Sequence, residues 1–346
     1  MRAGKKIILL AAAAVLGLTG CGNGARPQKT QEKIEIVCAS FPEYDWTRQI
    51  IGENNKDISL TLIADNGMDI HNYQPSVEDI IKIDGCDLLI YNGGTSEQWI
   101  AQALADSQQN PQVLSMMEIL KDEMVEEEIV EGMEEEKHQQ EEETGKILQD
   151  GTAHQGTDLN EADHDHRQAE YDEHVWLSLK HAQTMVKEIS QAVQTIDEKN
   201  SSQYEENAAA YLKQLEELDK AYQYMTENAK RKTILFGDRF PFRYLTADYG
   251  LTYYAAFPGC SSESEASFET IVFLAEKVHD EKLPCILTID GSDGSIANAI
   301  AENVGEKTEI QTLNSLQAVS QAQIAEGITY LSAMEKNLEV LAVALE

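Results

Sequence analysis

Residues 202–230 read SQYEENAAAYLKQLEELDKAYQYMTENAK and contain the pattern that decides the fold. Apolar side chains recur there at alternating steps of four and three, at Tyr204, Ala208, Tyr211, Leu215, Leu218, Tyr222 and Met225. This spacing predicts one apolar stripe on a single helix, roughly 40 Å long at about 1.5 Å per residue. Ser202 and Glu205 have the form of a capping box at its start. Such a helix can cross a whole small protein, although an ordinary core helix gives the same stripe.

Short apolar runs flank this helix on both sides and alternate with helical patterns. Before the helix, strands are predicted at residues 33–40, 59–63 and 87–91. After it, strands are predicted at residues 233–236, 251–254, 285–289 and 309–313. Helices are predicted near residues 44–52, 77–83, 267–279 and 320–344, with Ser76 and Ser267 as N-caps. The alternation predicts an α/β fold, with two lobes of mainly parallel sheet (33–200 and 231–346) joined by one long rigid helix (201–230).

The N-terminus is predicted to be an export signal rather than part of the fold. Arg2, Lys5 and Lys6 precede a short apolar run, and Leu18-Thr19-Gly20-Cys21 follows it. This order resembles the lipobox of bacterial lipoproteins, which implies a signal peptide at 1–20, a lipid on Cys21 and a polar tether at 21–32. We therefore expect a protein anchored by lipid to the extracytoplasmic face of the cell membrane. An ordinary secreted protein is the alternative.

The negative charge is concentrated in one segment. The net charge of −34 argues against nucleic acid as a partner. Residues 121–173 hold 20 Asp or Glu against 4 Lys or Arg, with few apolar residues. This segment also contains four histidines, namely His138, His154, His164 and His166. It is predicted to be largely a mobile insertion in the first lobe, which either concentrates a metal ion near the binding site or is a charged, solvated loop.

Four cysteines remain besides Cys21, at positions 38, 86, 260 and 285. The sequence has no C-x-x-C pair, which argues against a cysteine-based zinc knuckle or a redox motif. Export permits disulfides, so a pairing within each half of the chain is one possibility. Buried free thiols are the other, and the sequence leaves both open.

Two histidine motifs carry a resemblance to a known family. Residues 69–76 read DIHNYQPS, between the second strand and a capped helix, and residues 172–177 read DEHVWL at the start of another helix. Together they resemble the D-P-H-x-Y-x-P-S and D-P-H-x-W-L signatures of the metal-binding lipoproteins of ABC importers, which bind zinc or manganese. The resemblance covers essentially the whole mature chain. Ile70 and Glu173 stand where the family usually has proline.

The resemblance implies that His71 and His174 are two metal ligands, and that a third follows the first strand of the second lobe. The matching stretch is residues 236–244, FGDRFPFRY. Counting without gaps puts Arg239 at the ligand position, but a guanidinium cannot ligate a cation. A gap at Pro241 puts Asp238 there instead, and Asp238 is our prediction. A structural pair between Asp238 and Arg239, or an Arg239 that orients a ligand, remains open.

The fourth ligand that the resemblance implies is Asp290, which ends an apolar strand and opens a polar loop. Asp293 is its nearest alternative. Residues 257–267 resemble the family's G-x-S-x-E-x-E-P-S loop near the site. Glu263 and Glu265 in that loop either orient the ligands or belong to a solvated turn that precedes a helix.

Two neutral imidazoles and two carboxylates form a neutral site for a divalent ion. The resemblance thus implies an extracytoplasmic solute-binding lipoprotein that captures a metal in the cleft between its lobes, as a monomer, and delivers it to an ABC permease and its ATPase. Zn²⁺ is favoured because of the extra histidines, and Mn²⁺ is possible. A binding protein for another solute, such as a metal chelate, is the alternative. The chain has no H-E-x-x-H, G-x-S-x-G or P-loop motif, which argues against an enzyme.

Overall fold

The computed structural model describes residues 33–52, 55–107, 110–134, 171–261 and 265–346. The predicted signal peptide and Cys21, the four histidines of the insertion, and Glu263 lie outside these residues. Residues 33–346 belong to one compact unit. Within the described ranges, no helix is both long enough and apolar enough to cross a membrane.

The first lobe is a four-stranded parallel sheet in the order β2-β1-β3-β4. Its strands are β1 (Ile34–Cys38), β2 (Ile58–Leu62), β3 (Leu88–Tyr91) and β4 (Gln112–Ser115). Its helices are α1 (Phe41–Ile51), α2 (Val77–Asp84), α3 (Gln98–Asp106), α4 (Met116–Ile119) and α5 (Leu179–Ile196). The long helix α6 (Ser201–Asn228) follows.

The second lobe repeats this arrangement, with the parallel order β6-β5-β7-β8. Its strands are β5 (Thr233–Phe240), β6 (Thr252–Pro258), β7 (Cys285–Ile289) and β8 (Glu309–Leu313). Its helices are α7 (Arg243–Tyr249), α8 (Phe268–Glu281), α9 (Ser295–Val304), α10 (Gln321–Ala325) and α11 (Tyr330–Ala344). The predicted α/β class, with two parallel-sheet lobes and a long helix, is confirmed.

The helix α6 contacts both lobes. It packs on α1 and α5 of the first lobe and on α7 and α11 of the second. Six of the seven positions in the predicted stripe are buried, and Met225 is partly buried. The Tyr222 hydroxyl donates a 2.6 Å hydrogen bond to the Met334 carbonyl of α11, while Asn207 donates one of 2.9 Å to the Ile50 carbonyl of α1. One apolar stripe thus fixes the helix to both lobes.

The predicted capping box at Ser202 is wrong. The helix begins at Ser201 with Asn200 as N-cap, and the Asn200 side chain makes no capping bond. A 3-10 turn at Glu198–Asn200 leads directly into the helix, and Asp197 organises this turn. The Asp197 carboxylate accepts hydrogen bonds from the side-chain amide of Asn200 (2.7 Å) and from the Tyr204 hydroxyl (2.5 Å). The chain enters the helix through that turn, so Ser202 lies already inside it.

Two other predicted caps are confirmed. Ser76 accepts from the Asp79 amide and forms a full capping box at the start of α2. Ser267 accepts from the Thr270 amide at the start of α8.

The four cysteines of the described chain are free thiols, and Cys38, Cys86 and Cys285 are buried. Of the two possibilities left open, the structure has free thiols.

The structure places the first part of the predicted insertion, residues 121–134, against the second lobe. Glu128 forms an ion pair with Arg243 of α7, and Glu131 lies 3.5 Å from Lys277 of α8. The Glu134 amide donates a 3.0 Å hydrogen bond to the Ala256 carbonyl of β6. The prediction of a mobile segment is therefore wrong for residues 121–134, which ion pairs and a backbone hydrogen bond hold to the second lobe; residues 135–170 lie outside the described residues.

Candidate metal site

His71 lies in a 3-10 turn that follows β2, at the carboxyl end of the first sheet. Asp69 caps this turn by accepting a 3.0 Å hydrogen bond from the His71 amide. The ring nitrogen Nδ1 lies 2.6 Å from the Ser96 hydroxyl, in the segment after β3. These two contacts fix the ring so that its Nε2 is the atom left to face the cleft between the lobes.

His174 is fully buried, just before a 3-10 turn that leads into α5. Asp172 accepts hydrogen bonds from both its backbone amide (2.8 Å) and its Nδ1 (2.9 Å). A carboxylate can only accept, so Nδ1 carries the proton and Nε2 presents a lone pair. An imidazole held by a carboxylate in this way is typical of metal-binding histidines.

The two imidazoles face each other through these atoms. His71 Nε2 lies 3.0 Å from His174 Nε2. Two nitrogens that share one tetrahedral zinc ion lie about 3.3 Å apart, given Zn–N bonds of about 2.0–2.1 Å. The structure therefore brings together the two ligands that the sequence predicts, at close to the spacing that one ion requires.

Glu173, which stands where the family usually has proline, ties the two histidine motifs together. Its carboxylate accepts hydrogen bonds from the Thr95 amide and hydroxyl and from the Ser96 amide. It lies directly on Gly94, whose φ of +84° suits glycine and where a Cβ would overlap the carboxylate. Because Ser96 contacts His71, Glu173 helps to position both rings.

Burial, together with a smaller effect of the neighbouring His174, lowers the pKa of His71 to about 4. A histidine with so low a pKa is neutral at pH 7, which is the form that binds a metal. Within the first lobe, burial raises the pKa of Glu43 in α1 to about 7. Burial and the charge of Glu43 raise the pKa of Glu97. The first lobe thus contains two buried acids, and Glu97 hydrogen bonds to the Gly93 amide in the segment after β3.

The structure does not bring Asp238 to the histidines. Both Asp238 and Arg239 lie inside β5, which runs four residues beyond its predicted end, with a register shift between Phe236 and Arg239. One Asp238 oxygen accepts from the Arg239 amide (2.9 Å), and the other accepts from the Ile289 amide (3.3 Å). The carboxylate thus joins two strands of the second sheet.

Arg239 is the residue at the ligand position by gapless counting, and it forms an ion pair across the cleft. Its guanidinium lies 2.5 Å from the Asp69 carboxylate and 3.3 Å from the Ser261 carbonyl. Burial alone raises the pKa of Asp69, but the charges of Arg239 and His71 lower it below its usual value. Arg239 therefore pairs with the residue that caps the His71 turn, rather than with the Asp238 side chain.

Asp290 also has another partner. One of its oxygens accepts from the Ser315 amide (2.5 Å) and the Ser315 hydroxyl (2.7 Å). Burial raises the pKa of Asp290, and the Ser315 hydrogen bonds oppose that effect. Asp293, the alternative, is exposed and accepts from the Ser295 amide, and Glu265 is exposed as well. Asp290 thus orders the segment after β8.

That segment supplies Gln317, which sequence reasoning missed. Gln317 is buried, and its Nε2 lies 3.1 Å from His71 Nε2 and 2.5 Å from His174 Nε2. Its Oε1 is buried without a hydrogen-bond partner among the described residues. A glutamine at the end of a strand gives no metal-binding signal by itself, so only the folded chain reveals it.

Cys260 is the second residue that was missed as a site residue. Its Sγ and the ring nitrogens of His71 and His174 all lie within 4.8 Å of one another. It follows Gly259, at which a Cβ would stand 2.8 Å from Cε1 of the His174 ring. The available signal was the position of both residues in the 257–267 stretch that resembles a loop near the family's site.

Comparison with known proteins identifies the family of the chain. The family model described as "ZnuA: Zinc-uptake complex component A periplasmic" matches residues 36–344. The "Zinc-binding lipoprotein AdcA" of Streptococcus pneumoniae (strain ATCC BAA-255 / R6) is 29% identical over 97% of this chain, which spans 60% of that relative's length. The "High-affinity zinc uptake system protein ZnuA" of Bacillus subtilis (strain 168) is 27% identical, with 96% of this chain and 95% of the relative covered.

A solved structure agrees with these relatives. The Zn(II)-bound ZnuA-like domain of Streptococcus pneumoniae AdcA superposes with a TM-score of 0.65 at 26% sequence identity, covering 90% of this chain and 99% of the domain. The match of the family model extends over most of the chain and includes both histidine motifs. The chain therefore belongs to the ZnuA family of periplasmic zinc-uptake components.

Proposed function

We propose that this chain is an extracytoplasmic solute-binding lipoprotein that captures a zinc ion and delivers it to an ABC importer. The observation that carries the proposal is the His71–His174 pair, whose Nε2 atoms face each other at 3.0 Å in the cleft. Their Nδ1 atoms already have partners, so both Nε2 lone pairs can turn to one cation.

The cleft suits a cargo that is bound and later released. Its first-lobe wall carries the two histidines, and its second-lobe wall carries Gln317 and Cys260. Because the ion would contact residues of both lobes, its binding favours the closed arrangement and its loss favours opening. A membrane permease with its ATPase is the partner that such a cargo requires, and lipid on Cys21 would hold the chain beside it, as a monomer.

The family is one of solute-binding transport proteins rather than of enzymes. Zinc is favoured over manganese because the paired ring nitrogens suit a borderline ion, while manganese prefers oxygen ligands. The zinc-binding names of the relatives support the same choice.

Isothermal calorimetry with the full-length chain tests the proposal. We expect one tightly bound zinc per chain, and we expect the double variant His71→Ala, His174→Ala to bind none. His279→Ala is the matched control, since this exposed histidine lies on α8 and its ring contacts the neighbouring Asp280. Unchanged stoichiometry in the double variant would refute the site, and tight binding of manganese but not zinc would refute the cargo.

A further inference from the structure

We propose that the thiolate of Cys260 is the ligand that the second lobe contributes to the zinc ion, completing a set with His71 and His174. This inference rests on the proposed function, because it names a further ligand of the same site. Cys260 lies outside the two histidine motifs and is not one of the predicted carboxylate ligands.

The three donor atoms have nearly the spacing of a zinc site. In a tetrahedral site with Zn–S bonds of about 2.3 Å, a sulfur and a nitrogen ligand lie about 3.6 Å apart. The Cys260 sulfur, one ring nitrogen of His71 and one ring nitrogen of His174 lie within 4.8 Å of one another. A movement on the order of 1 Å therefore suffices to bring all three to one ion.

The loop after β6 is built to hold the thiol against His174. Gly259 lets the backbone approach the imidazole, since a Cβ there would stand 2.8 Å from its Cε1 and 2.9 Å from the Phe240 carbonyl. The Cys260 amide donates a 3.0 Å hydrogen bond to the carboxylate of Glu127, in the acidic segment that follows α4. The backbone of Glu173 also hydrogen bonds to the thiol. Contacts from two other segments thus fix Cys260 beside the ring.

The predicted second-lobe ligands are already engaged elsewhere. Asp238 accepts hydrogen bonds with both oxygens within the second sheet. One oxygen of Asp290 accepts two hydrogen bonds from Ser315, and Arg239 has no lone pair to offer a cation. The Gln317 Nε2 lies within hydrogen-bond distance of the Nε2 atoms of His71 and His174. Rotating its side-chain amide by half a turn would place the unpartnered Oε1 there instead. Cys260 is therefore the anionic donor beside the histidines, with Gln317 as a neutral fourth group.

A thiolate changes what the site selects. Sulfur ligands favour zinc and discriminate against manganese, whereas a carboxylate at the same place serves both. Burial raises the pKa of the free Cys260 thiol, so the ion itself must displace the thiol proton when it binds. One thiolate and two neutral imidazoles leave a single positive charge on the zinc-loaded set, and Asp172 and Asp69 lie beside the rings to balance it.

Cobalt(II) is the probe that separates this inference from the proposed function. A cobalt ion bound by nitrogen and sulfur shows a near-ultraviolet charge-transfer band from the thiolate, in addition to its visible ligand-field bands. We expect the full-length chain loaded with cobalt to show both, Cys260→Ser to lose the charge-transfer band, and Cys86→Ser to keep it. The Cys86 thiol donates a hydrogen bond to the Ile83 carbonyl, and a serine hydroxyl can donate the same bond.

The zinc affinity provides the second readout. In competition with a chromophoric chelator, Cys260→Ser should bind zinc about 10- to 100-fold more weakly than the parent chain, a loss at least as large as that of an outer-shell partner. Cys260→His should recover part of that affinity without the charge-transfer band, which keeps the test decisive if the serine variant folds poorly.

Ligand-field bands without a charge-transfer band in the parent, together with unchanged zinc affinity in Cys260→Ser, would overturn the role of Cys260 and leave zinc capture intact. A parent chain that binds neither zinc nor cobalt would overturn both proposals.

Discussion

The two walls of the cleft differ in how their polar groups are used. On the first-lobe wall, Ser96 and Asp172 contact the Nδ1 atoms of His71 and His174, and the Nε2 atoms face the cleft. On the second-lobe wall, both oxygens of Asp238 and one oxygen of Asp290 accept hydrogen bonds from their own lobe. The two walls therefore differ in what they present to the cleft: the first presents two Nε2 atoms, whereas the carboxylates of the second are tied to their own lobe.

We expect the largest effect from the buried acid Glu43 of the first lobe, since the second lobe's Asp238 and Asp290 instead accept hydrogen bonds within their lobe. The pKa of Glu43 is raised from 4.5 to about 7. Between these pH values the Glu43 carboxyl is protonated in the folded chain and ionised in the unfolded chain. The stability from this group is fully present below pH 4.5 and is lost as the pH rises through 7. Relative to Glu43→Gln, the parent should lose on the order of 3 kcal/mol of unfolding free energy between these values.

Urea unfolding of the metal-free chain at several pH values measures this difference. Glu335→Gln, at an exposed position on α11, serves as the control and should follow the parent at every pH. If Glu43→Gln and the parent also ran parallel, the first lobe would hold no protonated acid at this position.

A smaller effect is expected for the partner of His174. Asp172→Ala should weaken zinc binding by about 10- to 100-fold, because the ring loses the carboxylate that fixes its orientation and its protonation. Asp172→Asn should recover much of the affinity, since an amide oxygen can still accept from Nδ1. Chelator competition measures both variants, with Asp293→Ala, an exposed carboxylate of the second lobe, as the control. Equal affinity of Asp172→Ala and the control would remove the distinction between the two walls.

The smallest effect is expected at Asp290. Asp290→Asn keeps an oxygen that can accept from Ser315, so the loop that carries Gln317 should stay in place. We expect the zinc Kd to change less than about threefold, which corresponds to about 0.7 kcal/mol. Loss of zinc binding in this variant, measured by the same competition, would instead make Asp290 a ligand, as the sequence resemblance implies.

Local patterns explain which predictions were confirmed. The capped helix at Ser76 and the stripe on α6 each depend on spacing within one element, and both follow from the sequence. The short edge strand β4 was not predicted, because its residues are only partly buried or exposed and carry no apolar alternation. The end of β5 was placed too early for a related reason, since Asp238 and Arg239 interrupt its apolar run while the strand continues through them.

The sequence by itself determined the fold class and the long helix that joins the lobes, because each follows from a local pattern of residues, and the two histidine motifs pointed to His71 and His174 through their resemblance to a family. Only the tertiary structure decided what faces that pair from the second lobe. Cys260 and Gln317 reach the rings from loops of different strands, while Asp238 and Asp290 are held by neighbouring backbone. Which lone pairs remain available to a metal depends on contacts between distant segments, and no local pattern contains them.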